Sequence, residues 1–489
     1  MLMLFDLYFG EATFHFMCID EQHFRRRYDQ WRGALDQAHP EKSTLDIRHF
    51  PALLLQVLAQ TLDCISPQHQ AARALRLEDY ESCDQLADKF HFTGDHIMQT
   101  IGRHNPSETS VEHDLVSADW LKTSGRGAQA WNRLGSAIRQ AQELGLHDLP
   151  DTIEPAPGQD VEPHLLAVWQ LEHQKRLWTR LFIFDANLAM GLERPRIIHR
   201  EDAVIPTLLN CDFPYDTAKI IPVPYEDCSF ASTIFLLHVA HKIHDVLSIL
   251  SNRARRNDYL AIMALHDEIC ELRSTMPKFN SVGLTSVDRL RSSVSYLRLV
   301  NHINTVIIAL HRPFIASQPT SRALAVSAAL DQLDTQEDLF QILPFPQFKL
   351  YGNVFYTIDA SVFLAGVVTE LPAQGSDTYR QIQESIQKAI ARLKVMKQRN
   401  RIAGSAEEML RHFYDKMEDT QSASTTRVDQ ATRDSSGVDD SAVDNIIATI
   451  SPLQQHSFET YESLFNFDSG FQKSVDLGVD PHDTAWIYA

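Results

Sequence analysis

Apolar residues along the chain recur at helical intervals. In WLKTSGRGAQAWNRLGSAIRQAQELGLH, residues 120–147, the positions Trp131, Leu134, Ile138, Ala141 and Gly145 fall at i, i+3, i+7, i+10 and i+14, one face of a helix. SGRG at 124–127 separates this helix from the one before it, so the stretch predicts a helical hairpin. Gly145 follows the last turn and supplies a C-terminal stop. Residues 1–38 predict a helix, a turn and a second short helix, and 51–64 opens on Pro51, a residue suited to a first helical turn. Helical patterns continue through 70–101 and 110–123. The segment 148–163, with four prolines and five acids, is a loop.

A long helical pattern covers 164–190 and is ended by Gly191 and Pro195. Residues 203–230, rich in Pro, Asp and Tyr, are expected to be extended. Helices return at 232–256, 258–275, 286–311, 321–338, 350–370, 377–398 and 404–417. No sustained period-two alternation supports a strand, and no fixed longer period supports a repeat array. The expected fold class is all-α, a compact multi-helix domain of packed helical hairpins over residues 1–419. From about 420 the sequence turns to Ser, Thr, Asp and Gln with no persistent apolar face, which predicts a disordered acidic tail over 420–489. That tail carries eleven acids and three bases, eight of the nineteen net negative charges of the chain.

A net charge of −19 repels a phosphate backbone over most of the surface, so direct DNA contact is not expected from these residues alone. The composition, 44% hydrophobic and 22% charged, suits a globular core. No stretch approaches twenty uncharged apolar residues, so no membrane span is expected. The opening MLMLFDLYFGE lacks a basic region and is interrupted by Asp6, unlike an export signal, which leaves cytosol or nucleus as the expected compartment. The cysteines Cys18, Cys64, Cys83, Cys211, Cys228 and Cys270 are scattered, as for reduced, mostly buried thiols.

Enzymatic constellations are not found. There is no G-x-G-x-x-G, P-loop, G-x-S-x-G or H-E-x-x-H, and Asp79-Tyr80-Glu81 lacks the spacing of an aspartate-rich magnesium motif. No catalytic, cofactor-binding or metal residue is assigned. His238, His241 and Asp245, at i, i+3 and i+7, can present three ligands on one helix face. The apolar face set by Leu236, Val239, Ala240, Ile243, Leu247 and Leu250 lies roughly opposite, which makes them a solvated face instead. The basic clusters Arg25-Arg26-Arg27, Arg253 to Arg256 and Lys397 to Arg401 are each either a nuclear-import patch or an ordinary helix surface.

The segment 172–206, EHQKRLWTRLFIFDANLAMGLERPRIIHREDAVIP, resembles the signature of the fungal-specific transcription factor domain, also called the middle homology region. The matching positions are Glu172, Arg176, Leu177, Trp178, Asp185, Gly191, Arg194, Pro195, Ile198, Asp202 and Pro206. The family's Gly-Arg-Pro is interrupted here by Leu192 and Glu193, and the glycine position pairs with either Gly191 or Glu193. Three further blocks are similar in the same order. Phe24 matches the family's opening phenylalanine, without the usual His-Pro. The hairpin carries Gly125-Arg126, Ala130-Trp131, Ala137-Ile138-Arg139 and Gly145-Leu146-His147. Leu310-His311-Arg312-Pro313-Phe314 ends a later helix. The resemblance covers residues 4–315 best. As residue chemistry, Glu172 and Arg176 are i, i+4 partners, and Asp185 is expected to pair with Arg194 or Arg196 and so fix the strip at 197–206. All of these residues are expected to hold the fold, and none to do chemistry.

The resemblance implies a fungal nuclear regulator of transcription, governing catabolic or secondary-metabolite genes, and not an enzyme. Most members carry a binuclear zinc cluster that docks on DNA. Here the similarity begins at the first residues and the six cysteines lack the cluster's spacing. Zinc is therefore expected only with a missing N-terminal cluster. A gene model lacking its first exon, a natural clusterless member working through a DNA-binding partner or as a homodimer, and a relic are the three readings. In the tail, 458–471 interleaves Phe458, Tyr461, Leu464, Phe465 and Phe467 with acids. That pattern suits a short amphipathic helix offered to a coactivator or the transcription machinery, or docking on the chain's own domain.

Overall fold

A computed structural model describes residues 2–12, 18–35, 44–102, 105–155, 158, 160–225, 228, 230–252, 258–277, 286–370 and 377–431. These residues form an all-α architecture with no strand element among them. The helices are α1 (Leu2–Leu7), α2 (Glu21–Leu35), α3 (Leu45–Cys64), α4 (Gln70–Ala74), α5 (Tyr80–Ile101), α6 (Glu108–Thr123), α7 (Gly127–Glu143), α8 (Val161–Leu192), α9 (Ala231–Ser251), α10 (Tyr259–Ser274), α11 (Ser286–His311), α12 (Pro319–Ile342), α13 (Tyr351–Glu370), α14 (Asp377–Met396) and α15 (Arg401–Ala431). They divide into two compact units. One takes Met1–Asp185 with Pro195–Phe230, and the other takes Ala186–Arg194 with the helices from Ala231 onward. The regulatory region expected over 1–419 takes in helices of both units.

The first unit is built on α3, which packs against α5, α6, α2 and α1. An aromatic cluster anchors its N-terminal side: Phe24 lies 5.1 Å from Phe5 and 5.2 Å from Phe50, and Trp31 lies 6.0 Å from Phe50. In the second unit α11 packs on α12, α9 and α10, and α13 on α12, α14 and α15. α9 and α13 have the length and hydropathy of a membrane span, yet 56% and 72% of their apolar windows are buried inside the fold, as in core helices. Cys18, Cys83, Cys211 and Cys228 are buried, and Cys270 is exposed.

Two boundaries differ from the sequence reading. α3 begins at Leu45, so Pro51 lies inside the helix and not in its first turn. Burial of Leu53, Leu54, Val57 and Leu58 along the same helix offsets the one missing backbone bond. α15 runs on to Ala431, beyond the expected end near 417, and the intervening sequence contains neither Gly nor Pro to stop it. Residues 432–489, including the expected coactivator positions Phe458, Tyr461, Leu464, Phe465 and Phe467, lie outside the described residues, as do Arg253 to Arg256.

Helix ends in the signature blocks share one geometry. After α6, Gly125 takes φ +77°, with Arg126 N donating to Leu121 O at 2.9 Å and Gly125 N to Lys122 O at 3.1 Å. After α7, Gly145 takes φ +78°, with Leu146 N donating to Ala141 O at 2.9 Å and Gly145 N to Gln142 O at 3.0 Å. These paired bonds satisfy carbonyls that the ended helix leaves open. α8 ends likewise, with Arg194 N donating to Ala189 O at 3.0 Å, but the left-handed residue is Glu193, at φ +47°. Glu193, not Gly191, therefore occupies the slot that glycine fills before Arg-Pro.

Gly145→Ala should destabilise the protein by about 1 kcal/mol, because no atom lies within 4 Å of an added Cβ and only the left-handed backbone resists it. Glu193→Gly should have the opposite sign, stabilising by about 0.5–1 kcal/mol. Urea unfolding curves of the two variants check both signs.

Candidate functional site

The most unusual chemistry of the chain lies on α8. From Leu171 to Ala186 every residue except Gln174 is buried, although the stretch contains Glu172, His173, Lys175, Arg176, Thr179, Arg180 and Asp185. Charged groups withdrawn from water must be met by partners. Two sets of partners meet them.

The first set is the backbone of the irregular segment that follows α8. This strip makes no ladder, so its N–H and C=O groups need other partners. Asp185 accepts from Ile197 N at 2.9 Å and from Ile198 N at 2.8 Å. Lys175 Nζ donates to Thr207 O at 3.2 Å and to Asp151 O at 2.5 Å. Glu172 Oε1 accepts from Leu209 N at 3.2 Å, and Arg176 donates to Leu209 O at 3.2 Å and to Cys211 O at 2.6 Å. Trp169 Nε1 donates to Ile220 O at 2.6 Å. Further along, Val204 N donates to His147 O at 2.9 Å, which ties the strip to the end of the α6–α7 hairpin. His147 in turn sets its ring 6.3 Å from that of the fully buried Trp178.

The second set is other charged side chains. Arg180 holds Asp20 with two bonds, at 3.0 and 2.8 Å, and Arg176 adds a third at 3.3 Å. Arg176 Nε also donates to Glu172 at 2.8 Å, one helical turn away, and its guanidinium lies 4.0 Å from the ring centroid of Phe230. Arg27 bridges Glu112 at 2.7 Å and Glu108 at 3.2 Å. His173 stands among them, its ring stacked on that of His23 at 3.6 Å and 5°. Burial alone would raise the Asp20 pKa, but Arg180, Arg176 and the contact with His173 hold it well below the usual carboxylate range. Burial raises the pKa of Glu112 despite Arg27, and that of Glu172 despite Arg176.

Several expectations are corrected here. Asp185 takes the two backbone amides as its hydrogen-bond partners, where Arg194 or Arg196 was expected. Arg196 acts on it as a nearby charge. Arg25-Arg26-Arg27 is not an available import patch: Arg25 pairs with Asp6 and Glu21, Arg26 donates to Thr217 at 2.7 Å, and Arg27 is buried. Lys397 pairs with Glu407 at 2.6 Å and Arg399 is buried. His238 is exposed and His241 and Asp245 half-buried, with Lys242 3.8 Å from Asp245, in keeping with a solvated face. Asp79 caps α5 by accepting from Ser82 N at 2.8 Å.

The remaining signature residues are placed as follows. Trp131 and Gly145 lie on and just after α7, half-buried. Pro195 is exposed, Pro206 is buried and Asp202 is exposed. In the second unit Arg312 donates to Asp359 at 2.6 Å from a 3-10 turn containing Pro313, and His311 bonds Ser321 at 2.9 Å and His266 at 3.0 Å. Sequence reasoning missed Asp20, His23, Arg27, Glu108, Glu112, His173 and Arg180. Glu108 and Glu112 share a helix face at i, i+4, but nothing local marks their partner on α2 as eighty residues away.

Fold and site define an all-helical module whose most polar residues are spent on its own architecture. The family model for the fungal specific transcription factor domain matches residues 6–298, and the chain belongs to that family. It is 24% identical over 298 residues to the uncharacterized transcriptional regulatory protein C1F7.11c of Schizosaccharomyces pombe, covering 56% of this chain and 36% of that one. It is 27% identical over 129 residues to cutinase transcription factor 1 beta of Fusarium vanettenii, covering 26% and 13%. It is 27% identical over 131 residues to transcription factor xilB of Penicillium rubens, covering 26% and 17%. The matches thus span well under half of each relative's length.

Arg180→Met leaves Asp20 buried with one of its three arginine hydrogen bonds and should cost about 3–5 kcal/mol in urea unfolding. Adding Asp20→Asn should recover part of that loss, because the uncompensated charge is gone. A second expectation concerns pH. Burial pushes the Asp185 pKa up to about 6 from 3.8, against the pull of the two amides. A raised folded pKa gives stability that is full below the unfolded value and is lost as pH rises through 6. Asp185→Asn keeps an acceptor and cannot ionise. Relative to the wild type it should therefore gain about 2–2.5 kcal/mol between pH 4 and pH 7.5, read from unfolding midpoints across that range.

Proposed function

We propose that this chain is the regulatory region of a nuclear regulator of RNA polymerase II transcription, acting through protein contacts. The family match over residues 6–298 carries this reading, because the matched signature falls on the α8 network that builds the first unit. The names of the three relatives point the same way. A net charge of −19 argues that contact with DNA comes from another segment or from a DNA-binding partner. Control of catabolic or secondary-metabolite genes fits the relative named for cutinase. The acid-and-aromatic tail at 458–471 would engage a coactivator.

A second reading is a clusterless co-regulator or helical interaction scaffold that never meets DNA. The exposure of Ile221, Val223 and Tyr225 in one short extended segment favours it, since such apolar stretches commonly serve protein contacts. Both readings meet one experiment. Tethered to a reporter through an unrelated DNA-binding domain, the full chain should change transcription several-fold, and residues 420–489 alone should retain an activating share. A reporter unmoved by the full chain overturns the proposal, and one that responds to the chain but not to the tail removes the coactivator role of 458–471. Duplex binding by the untethered chain at physiological salt would overturn the dependence on a separate DNA-binding element.

A further inference from the structure

We propose that His23, Glu108 and His173 form a binding site for one divalent transition-metal ion, with zinc as the fitting class. The three residues come from α2, α6 and α8 of the first unit, and one ligand atom from each lies within 4.8 Å of the others. All three are buried. Two imidazoles and a carboxylate are a common zinc set.

The geometry around His173 carries the inference. Its ring is fully buried, yet neither nitrogen makes a hydrogen bond. Nδ1 faces Asp20 Oδ2 at 3.5 Å, while Nε2 faces Glu108 Oε2 and Glu112 Oε1, each at 3.6 Å. These separations are long for hydrogen bonds. They are close to the edge of a tetrahedron of ligands around zinc, about 3.4 Å for bonds of about 2.1 Å. With the proton on Nδ1, toward Asp20, the Nε2 of His173 would set its lone pair beside two carboxylates, and a cation between them would turn that repulsion into coordination. The carboxylate behind the ring is the arrangement that orients a metal-ligating histidine.

The charge balance agrees. Asp20, Glu108, Glu112 and Glu172 are enclosed with Arg27, Arg176 and Arg180, four carboxylates against three guanidiniums. Loading needs two local movements. The parallel rings must open so that their lone pairs converge, and Arg26 must release His23 Nδ1, 3.1 Å away, while keeping its bond to Thr217. The site is unrelated to any cysteine cluster, and it stands or falls independently of the transcriptional reading.

The test is a titration of the chelator-stripped full chain with zinc by calorimetry, and with cobalt by visible absorption. One equivalent should bind, with the intense ligand-field band of tetrahedral cobalt. His23→Gln and His173→Gln should each weaken binding at least tenfold, with folding checked by helical circular dichroism, and His238→Ala should change nothing. If His173→Gln fails to fold, His23→Gln decides, because that ring has a single hydrogen bond to lose, the one with Arg26. No stoichiometric binding by the folded wild type, or binding that survives His23→Gln or follows His238, overturns the proposal.

Discussion

A strip of chain without secondary structure can be packed against a protein only if something answers its backbone polar groups. In the first unit that something is a helix. α8 presents Glu172, Lys175, Arg176 and Asp185 to the amides and carbonyls of Ile197, Ile198, Thr207, Leu209 and Cys211. Water cannot do this for a helix buried on every side. A charged side chain offers more or stronger bonds than a neutral one, and once charged and buried it must be balanced. Asp20 answers Arg176 and Arg180 for that reason, and the remaining network follows from the same need.

This dependence explains the pattern of residues in 172–206. Acid and Arg on α8 meet the returning strip at Leu209, Asp meets it at Ile197 and Ile198, and Trp meets the His147 ring at the end of the hairpin. The Arg-Pro that follows sits just past a left-handed turn that reverses the chain. Glu193 occupies that turn without the freedom of glycine, so the strip's attachment outweighs a local backbone cost of about 1–2 kcal/mol. The hairpin belongs to the same device. Gly145 turns the chain after α7 so that His147 can place its carbonyl for Val204 and its ring against Trp178.

Much of the fold was legible because helices announce themselves locally. The hairpin at 120–147, the long helix ending near Gly191 and the later helices all follow from apolar period and breaker residues. Pro51 misled because a proline is tolerated inside a helix when enough apolar surface is buried around it. The site was legible only where partners are one turn apart, as for Glu172 and Arg176. Asp185 was read as tied to the following strip, but to its arginines. A carboxylate beside Arg194 and Arg196 suggests ion pairing, and nothing in the sequence reveals that two amides are left open at Ile197 and Ile198. Asp20, Arg27 and Glu112 were invisible for a plainer reason. Each looks like an ordinary surface charge until residues from 20 to 180 are brought together.

The same buried polarity makes specificity and regulation physically connected. An apolar core of equal volume would often be as stable, and a charged one is intolerant of losing any single member. In the first unit, therefore, the groups that fix the strip at 195–225 are also those most sensitive to an added or removed charge. A change at His173 would be felt by Asp20, then by Arg176, and through Arg176 by the carbonyls of Leu209 and Cys211. Those residues lie just before the exposed apolar segment around Ile221 and Val223. Hydrogen bonds thus join Asp20 through Arg176 to the carbonyls of Leu209 and Cys211, on the strip that leads to this exposed segment, so a change in the buried charges bears on the segment to the extent that the strip moves.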